Sequence, residues 1–241
     1  MSLYAIADLH LSLNTDKPMD FFSGWQNYTQ RIKNNWERLI TPDDTVIIAG
    51  DISWAMKLDE CYKDFEFINN LPGKKIFLKG NHDLWWSTKA KVETYLFQNG
   101  FYTIKLLFNN SYEVEDFVVC GTRGWYYDKE NEDDKKVLLR EVGRLKMSLE
   151  SALSIAGSSE TSNTRTFSKK PVLFLHYPPV YGDIECKEIM DVITDYGIKD
   201  CYYGHLHGPN THRYAVKGLY KDINFHLISC DYTGFMPVLV K

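Results

Sequence analysis

The chain has 241 residues, 44% hydrophobic, 25% charged and 15% aromatic, which is ample core material, and its length fits one or two domains. Its 28 basic and 32 acidic side chains leave a formal charge of −4, without the basic excess that extensive nucleic-acid binding calls for. No apolar run approaches the roughly 18–20 residues of a membrane span, and the first residues lack the basic start of a secretory leader. Five scattered cysteines (Cys61, Cys120, Cys186, Cys201, Cys230) form no C-x-x-C pair and read as free thiols of a cytoplasmic protein.

Residues 3–7 are a short apolar run closed by Asp8, the pattern of a buried strand. A polar loop with Pro18 and Gly24 leads to residues 28–40, where Ile32, Trp36, Leu39 and Ile40 share a helical face. Thr45–Ala49 predicts a second buried strand, ending at Gly50-Asp51. Leu58, Cys61, Tyr62, Phe65 and Ile68 space out another amphipathic helix, stopped by Pro72-Gly73. Residues 75–79 predict a third strand running into Gly80-Asn81-His82-Asp83, and a helix follows over residues 88–97. This β-α-β-α-β-α order predicts parallel strands with crossover helices.

The second half is less regular. Short strands are expected within residues 102–120, and Leu138, Val142, Leu145, Leu149 and Leu153 mark a long helix. Segment 156–170 is rich in Ser and Thr and reads as an exposed, mobile loop. It could pass for a linker, but the motifs on either side form one set, so a single domain over 1–241 is expected. Residues 172–175 predict a strand ending at His176. Ile189, Val192, Ile193 and Tyr196 mark a helix, and Asp200–Tyr203 a strand ending at Gly204-His205. Further short strands are expected within 211–216, 223–230 and 236–240.

Five of these strands end alike, in an apolar run followed by a residue able to ligate a metal. The endings are Asp8-Leu9-His10, Gly50-Asp51, Gly80-Asn81-His82-Asp83, His176 and Gly204-His205-Leu206-His207. Parallel strands with crossover helices bring their C-terminal ends to one sheet edge, where ligand sites form. Carboxylate, imidazole and amide donors suit divalent ions such as Mn²⁺, Fe²⁺ or Zn²⁺, and no thiolate is among them. Asp8, His10, Asp51, Asn81, His176, His205 and His207 are too many for one tetrahedral ion, but they serve two if a carboxylate bridges. Two ions roughly 3.5–4 Å apart can clamp the attacking and leaving oxygens of an in-line displacement. Their charge also draws a phosphate to an acidic chain.

Asp-x-His, Gly-Asp, Gly-Asn-His-Asp, a later His and Gly-His-x-His, in that order from residue 8 to 207, resemble the calcineurin-like metallophosphoesterase superfamily. The wording around the motifs is similar to a small bacterial subgroup of predicted phosphohydrolases. The resemblance implies an α/β fold, a four-layer α/β/β/α sandwich of two mixed sheets flanked by helices. It implies one ion on Asp8, His10, Asp51 and His207, and another on Asp51, Asn81, His176 and His205. His82 would face the substrate and protonate the leaving alkoxide or steady a phosphoryl oxygen, with Asp83 placed to orient it. The implied activity is hydrolysis of a small phosphomonoester or phosphodiester by in-line attack of metal-bound hydroxide.

The rival readings are a non-catalytic scaffold, in which lost ligands would be expected, and a nuclease working with a partner, against which the acidic balance weighs. Arg123, in Gly121-Thr122-Arg123-Gly124-Trp125, reads as a guanidinium fork for phosphate or as a surface arginine in a turn. Trp54, Trp85, Trp86 and Trp125 follow the motifs and read as packing or as an aromatic rim. His212 and His226 fall outside the motifs and read as ordinary sheet residues.

Overall fold

The computed structural model describes residues 1–125, 132–155, 167 and 169–241. They divide into two units, residues 1–106 with 228–241, and residues 107–227. In the first, β1 (Leu3–Ile6), β2 (Thr45–Ala49), β3 (Lys74–Leu78) and β4 (Ile104–Leu107) alternate with α1 (Tyr28–Leu39), α2 (Tyr62–Asn70) and α3 (Lys89–Gln98). The pairs β1–β2 and β2–β3 are parallel, as crossover helices require. Every residue of β2 is buried, the mark of a strand covered on both faces. α1 turns Tyr28, Ile32 and Trp36 into the core, and the Trp36 indole N–H donates to the Pro72 carbonyl at 2.9 Å. α3 starts at Thr88, whose hydroxyl caps the Lys91 N–H.

The second unit holds β5 (Tyr112–Val114), β6 (Phe117–Thr122), α4 (Glu132–Ile155), β7 (Lys170–Leu175), the hairpin β8 (Val180–Tyr181) and β9 (Ile184–Glu185), and α5 (Lys187–Asp195). It continues through β10 (Asp200–Tyr203), α6 (Gly208–His212), β11 (Gly218–Tyr220) and β12 (Ile223–Leu227). Its large sheet runs β11-β12-β10-β7-β6-β5, parallel within and antiparallel at both edges. Leu138, Leu145, Leu149 and Ala152 of α4 join Ile189, Met190, Val192 and Ile193 of α5 in its core. The chain then returns to the first unit, where β13 (Val238–Leu239) lies antiparallel on β1 and completes the order β13-β1-β2-β3-β4. The fold is therefore α/β, with two large mixed sheets flanked by helices.

Three expectations change in detail. The strand expected within 211–216 is instead the end of α6 and a turn, with a single antiparallel bridge between Ala215 and Tyr181. Pro209 opens that helix, and the Thr211 hydroxyl bonds back to the His207 carbonyl at 2.6 Å, closing a local turn in place of a ladder. The helix around residues 58–68 starts as a separate 3-10 turn, Leu58–Cys61, before α2. Most of segment 156–170, namely 156–166 and 168, lies outside the described residues, and with it the expected loop.

Lys75, near the start of β3, is fully buried. Its ammonium donates to the carbonyls of Asn69 and Leu71 and to the Thr103 hydroxyl. Burial pushes its pKa down to about 8, from an ordinary 10.5. Above pH 8 the folded chain gives up this proton while the unfolded chain keeps it, so stability rises with pH until about 10.5. The free energy of unfolding of the wild type minus that of Lys75→Met is expected to rise by about 2 kcal/mol between pH 7 and pH 10. Urea unfolding at the two pH values measures this, and an unchanged difference would show an ordinary, hydrated ammonium.

Candidate metal centre

In the first unit, β1 and β2 stop at Ile6 and Ala49, yet their chains stay bonded in step beyond those ends. Asp8 N–H donates to Gly50 O and His10 N–H to Asp51 O, both at 2.9 Å, and Leu11 N–H donates to Ile52 O at 3.0 Å. The backbone curls sharply here. Asp8, His10 and Asp51 have φ of 62°, 46° and 50°, a left-handed conformation that costs a side-chain-bearing residue roughly 1–2 kcal/mol. Three buried, expected ligands thus sit on strained backbone at adjacent strand ends. His10 Nε2 lies 3.8 Å from Asp51 Oδ2. The Tyr28 hydroxyl donates to the His10 carbonyl at 2.9 Å, and the Cys230 thiol to the Asp8 carbonyl at 2.8 Å.

The loop after β3 is pressed against the loop after β2. A Cβ on Gly80 would lie 2.1 Å from Asp51 Oδ1 and 2.2 Å from its backbone N, so only glycine fits. The His82 backbone N–H donates to Asp51 Oδ1 at 2.8 Å. Asp83 is wholly buried, and its carboxylate accepts from Ile52 N–H at 2.8 Å, Ser53 N–H at 3.3 Å, Gly80 N–H at 2.7 Å and the Trp85 indole at 3.0 Å. Burial, and then the charge on Asp51, push its pKa up to about 6, against the pull of the three backbone N–H donors.

The expected role of Asp83 is therefore corrected. Its carboxylate ties the two loops together and makes no bond to the His82 imidazole. That ring instead packs against Trp54 at 4.4 Å and His10 at 5.7 Å. The tryptophans divide the same way. Trp85 and Trp86 are buried packing, with Trp85 edge-on to Phe65, whereas Trp54 is half-buried beside the two histidines.

Ser53 and Asp64 were not singled out by sequence reasoning. Asp64, on α2, is fully buried and accepts from the Ser53 hydroxyl at 2.5 Å and the Leu13 N–H at 2.8 Å, joining the loops after β1 and β2. Burial raises its pKa while these bonds oppose the rise. Its place three residues after Cys61 and four before Ile68, on an otherwise apolar stripe, was the signal available.

In the second unit, His176 follows β7 and is buried, and its N–H and that of Tyr177 both donate to the Arg123 carbonyl, at 3.1 and 2.9 Å. His205 follows β10 with φ 72°, its ring 5.2 Å from His176 and 4.3 Å from Tyr177. Gly204 N–H donates to the His176 carbonyl at 3.2 Å. His207 is the residue before α6. The Arg123 side chain is no free surface arginine: it pairs with buried Glu141 at 3.3 Å and lies over the Trp125 ring at 4.8 Å. Thr122 and Arg144 also bond Glu141. His226 stacks on Tyr202 and meets Asp200 at 3.3 Å, a sheet residue as expected, whereas His212 belongs to α6 and pairs with the Leu206 carbonyl.

Asp8, His10, Asp51, His176, His205 and His207 are side chains able to hold metal ions, and their oxygen and nitrogen donors fit divalent ions of the Mn, Fe or Zn kind. The family model described as calcineurin-like phosphoesterase matches residues 1–209. No curated protein matches the sequence. Among solved structures, a phosphopantetheinyl hydrolase from Mycobacterium tuberculosis is similar at 17% identity and a TM-score of 0.52, over 99% of this chain and 95% of that one. A Thermus thermophilus protein, TT1561, is similar at 10% identity and 0.55, over 99% and 97%. An Aquifex aeolicus protein of unknown function, AQ665, is similar at 16% identity and 0.51, over 99% and 95%. These likenesses are of fold.

Gly80→Ala is expected to destabilise the chain by about 1–3 kcal/mol, because Asp51 cannot retreat without breaking the bonds around Asp83. Gly143→Ala, in α4 with nothing within 4 Å of the added carbon, should be neutral or stabilising. Thermal unfolding compares the two, and equal midpoints would show that the loops are not in contact.

Proposed function

Because the chain belongs to the calcineurin-like phosphoesterase family of metal-dependent phosphoric ester hydrolases, we propose that it hydrolyses a small phosphomonoester or phosphodiester at a centre of two divalent ions, Mn, Fe or Zn. The observation that carries the reading is positional. Asp8, Asp51, Asn81, His176 and His205 each follow the C-terminal end of a strand, β1, β2, β3, β7 and β10 in turn. In this reading Asp8, His10, Asp51 and His207 hold one ion, and Asp51, Asn81, His176 and His205 the other. The family match runs through both units, which supports one working domain over residues 1–241.

When bound, the two ions supply Lewis acidity at the phosphoryl oxygens and acidify water. The chain's own part is orientation and proton transfer. The His82 N–H engages one oxygen of Asp51, which leaves the carboxylate fixed rather than swinging between partners. The His82 imidazole delivers a proton to the departing oxygen, and Arg123, whose carbonyl takes the His176 N–H, holds a phosphoryl oxygen. No helix among the described residues is long and apolar enough to cross a membrane.

Protein purified without chelator and reloaded should approach two equivalents of metal by elemental analysis, and saturation at one would end the dinuclear reading. Asp51→Asn is expected to lower occupancy of both ions and abolish turnover of a panel of phosphomonoesters and phosphodiesters with Mn²⁺. A phosphopantetheinyl substrate belongs in that panel, prompted by the Mycobacterium tuberculosis neighbour. His82→Ala should keep both ions and slow alkyl phosphoesters by about 10²–10⁴-fold. Hydrolysis of p-nitrophenyl esters, whose leaving group departs unaided, should fall far less. Equal losses on both would make His82 a holder of phosphoryl oxygens instead.

A further inference from the structure

We propose that Trp54 is the positioning residue for the His82 imidazole, doing by ring packing what a second-layer carboxylate would otherwise do by hydrogen bonding. The inference rests on the proton-donor role of His82 given above. An imidazole that hands over a proton must be held in one orientation, usually by a carboxylate or carbonyl on its other ring nitrogen. Asp83, the adjacent candidate, has its carboxylate committed to the N–H groups of Ile52, Ser53, Gly80 and Trp85. Among the described residues the His82 ring makes no hydrogen bond, and its ring neighbours are Trp54 at 4.4 Å and His10 at 5.7 Å. The same indole lies nearly parallel on His10, at 4.7 Å and 22°. One flat side chain therefore spans the imidazole expected to ligate and the imidazole expected to donate.

Trp54 is itself held firmly. Its backbone N–H donates to the Leu11 carbonyl at 2.9 Å, beside the parallel bridge between Leu11 and Ser53. The neighbouring Ser53 hydroxyl is locked onto buried Asp64 and receives the Ala55 N–H at 3.1 Å. The indole is thus carried on backbone tied to both strand-end loops. Misplacing a reacting group by about 1 Å can cost some 10²-fold in rate, so a ring holding His82 in register is worth a measurable part of turnover.

The test compares Trp54→Leu, which keeps apolar bulk but removes the flat face, with Trp54→Phe, which keeps a face. Trp54→Leu should lower kcat on an alkyl phosphoester about 10–100-fold, at little cost on a p-nitrophenyl ester, with KM and metal content retained. Trp54→Phe should regain most of the loss, and it keeps the test alive if the leucine variant does not fold. In a His82→Ala background, Trp54→Leu should cost less than about two-fold more, because a residue acting through His82 has nothing left to position. Equal losses on both esters, loss of an ion, or a full additional loss on top of His82→Ala would each overturn the proposal. If the wild type cleaves no phosphoester, the functional reading fails separately. The His82 Cε1–H proton resonance then decides: an indole ring-current shift that disappears in Trp54→Leu supports the packing, and its absence from the wild type overturns it.

Discussion

The carboxylate of Asp83 is the hinge-pin of the first unit's strand-end loops. It is removed from water and receives four N–H groups, two from the loop after β2 and two from the loop it belongs to. A buried carboxylate without such donors would cost several kcal/mol or take up a proton, so its place is stable only while both loops keep their shape. The dependence is mutual. The loops in turn owe their spacing to this anion, and the spacing is so tight that Gly80 has no room for a side chain against Asp51.

That tightness explains how strained backbone is tolerated. Left-handed conformations at Asp8, His10 and Asp51 would relax in an isolated loop. Here each is over-determined, by rungs linking the chains beyond β1 and β2, by Asp64 joining Leu13 to Ser53, and by the hydroxyl of Tyr28 on the His10 carbonyl. The buried core of the sheet provides the rigidity, and the strand ends spend part of it on aiming side chains.

Sequence reasoning recovered what is set by local pattern. β2 and β10 match their expected bounds because an unbroken run, Thr45–Ala49 or Asp200–Tyr203, is closed by a glycine. The motif residues were placed for the same reason, since each stands just after an apolar run stops. What failed depended on distant partners or on competing local bonds. Nothing near Asp83 in sequence announces that Ile52 and Ser53 will present their N–H groups to it. The burial of Lys75 likewise depends on α2 and the residues before β4, which supply acceptors for its ammonium. Around residue 211, Pro209 at the start of α6 and the Thr211 hydroxyl on the His207 carbonyl overrode a weak strand signal. Asp64 alone was recoverable in principle, as a charge on an apolar stripe.

The pairing of β13 with β1 has a consequence for how the chain is made. Tyr4 faces Leu239 in that ladder, and the Asp8 carbonyl waits for the thiol of Cys230. During synthesis β1 emerges well before β13, so one of its edges stays bare until residues 238–239 have left the ribosome. The second unit, contiguous in sequence, has all its strands in hand before the first can close. Until then the nascent chain carries an exposed, apolar strand edge, a window in which strand-to-strand association competes with completion of the sheet.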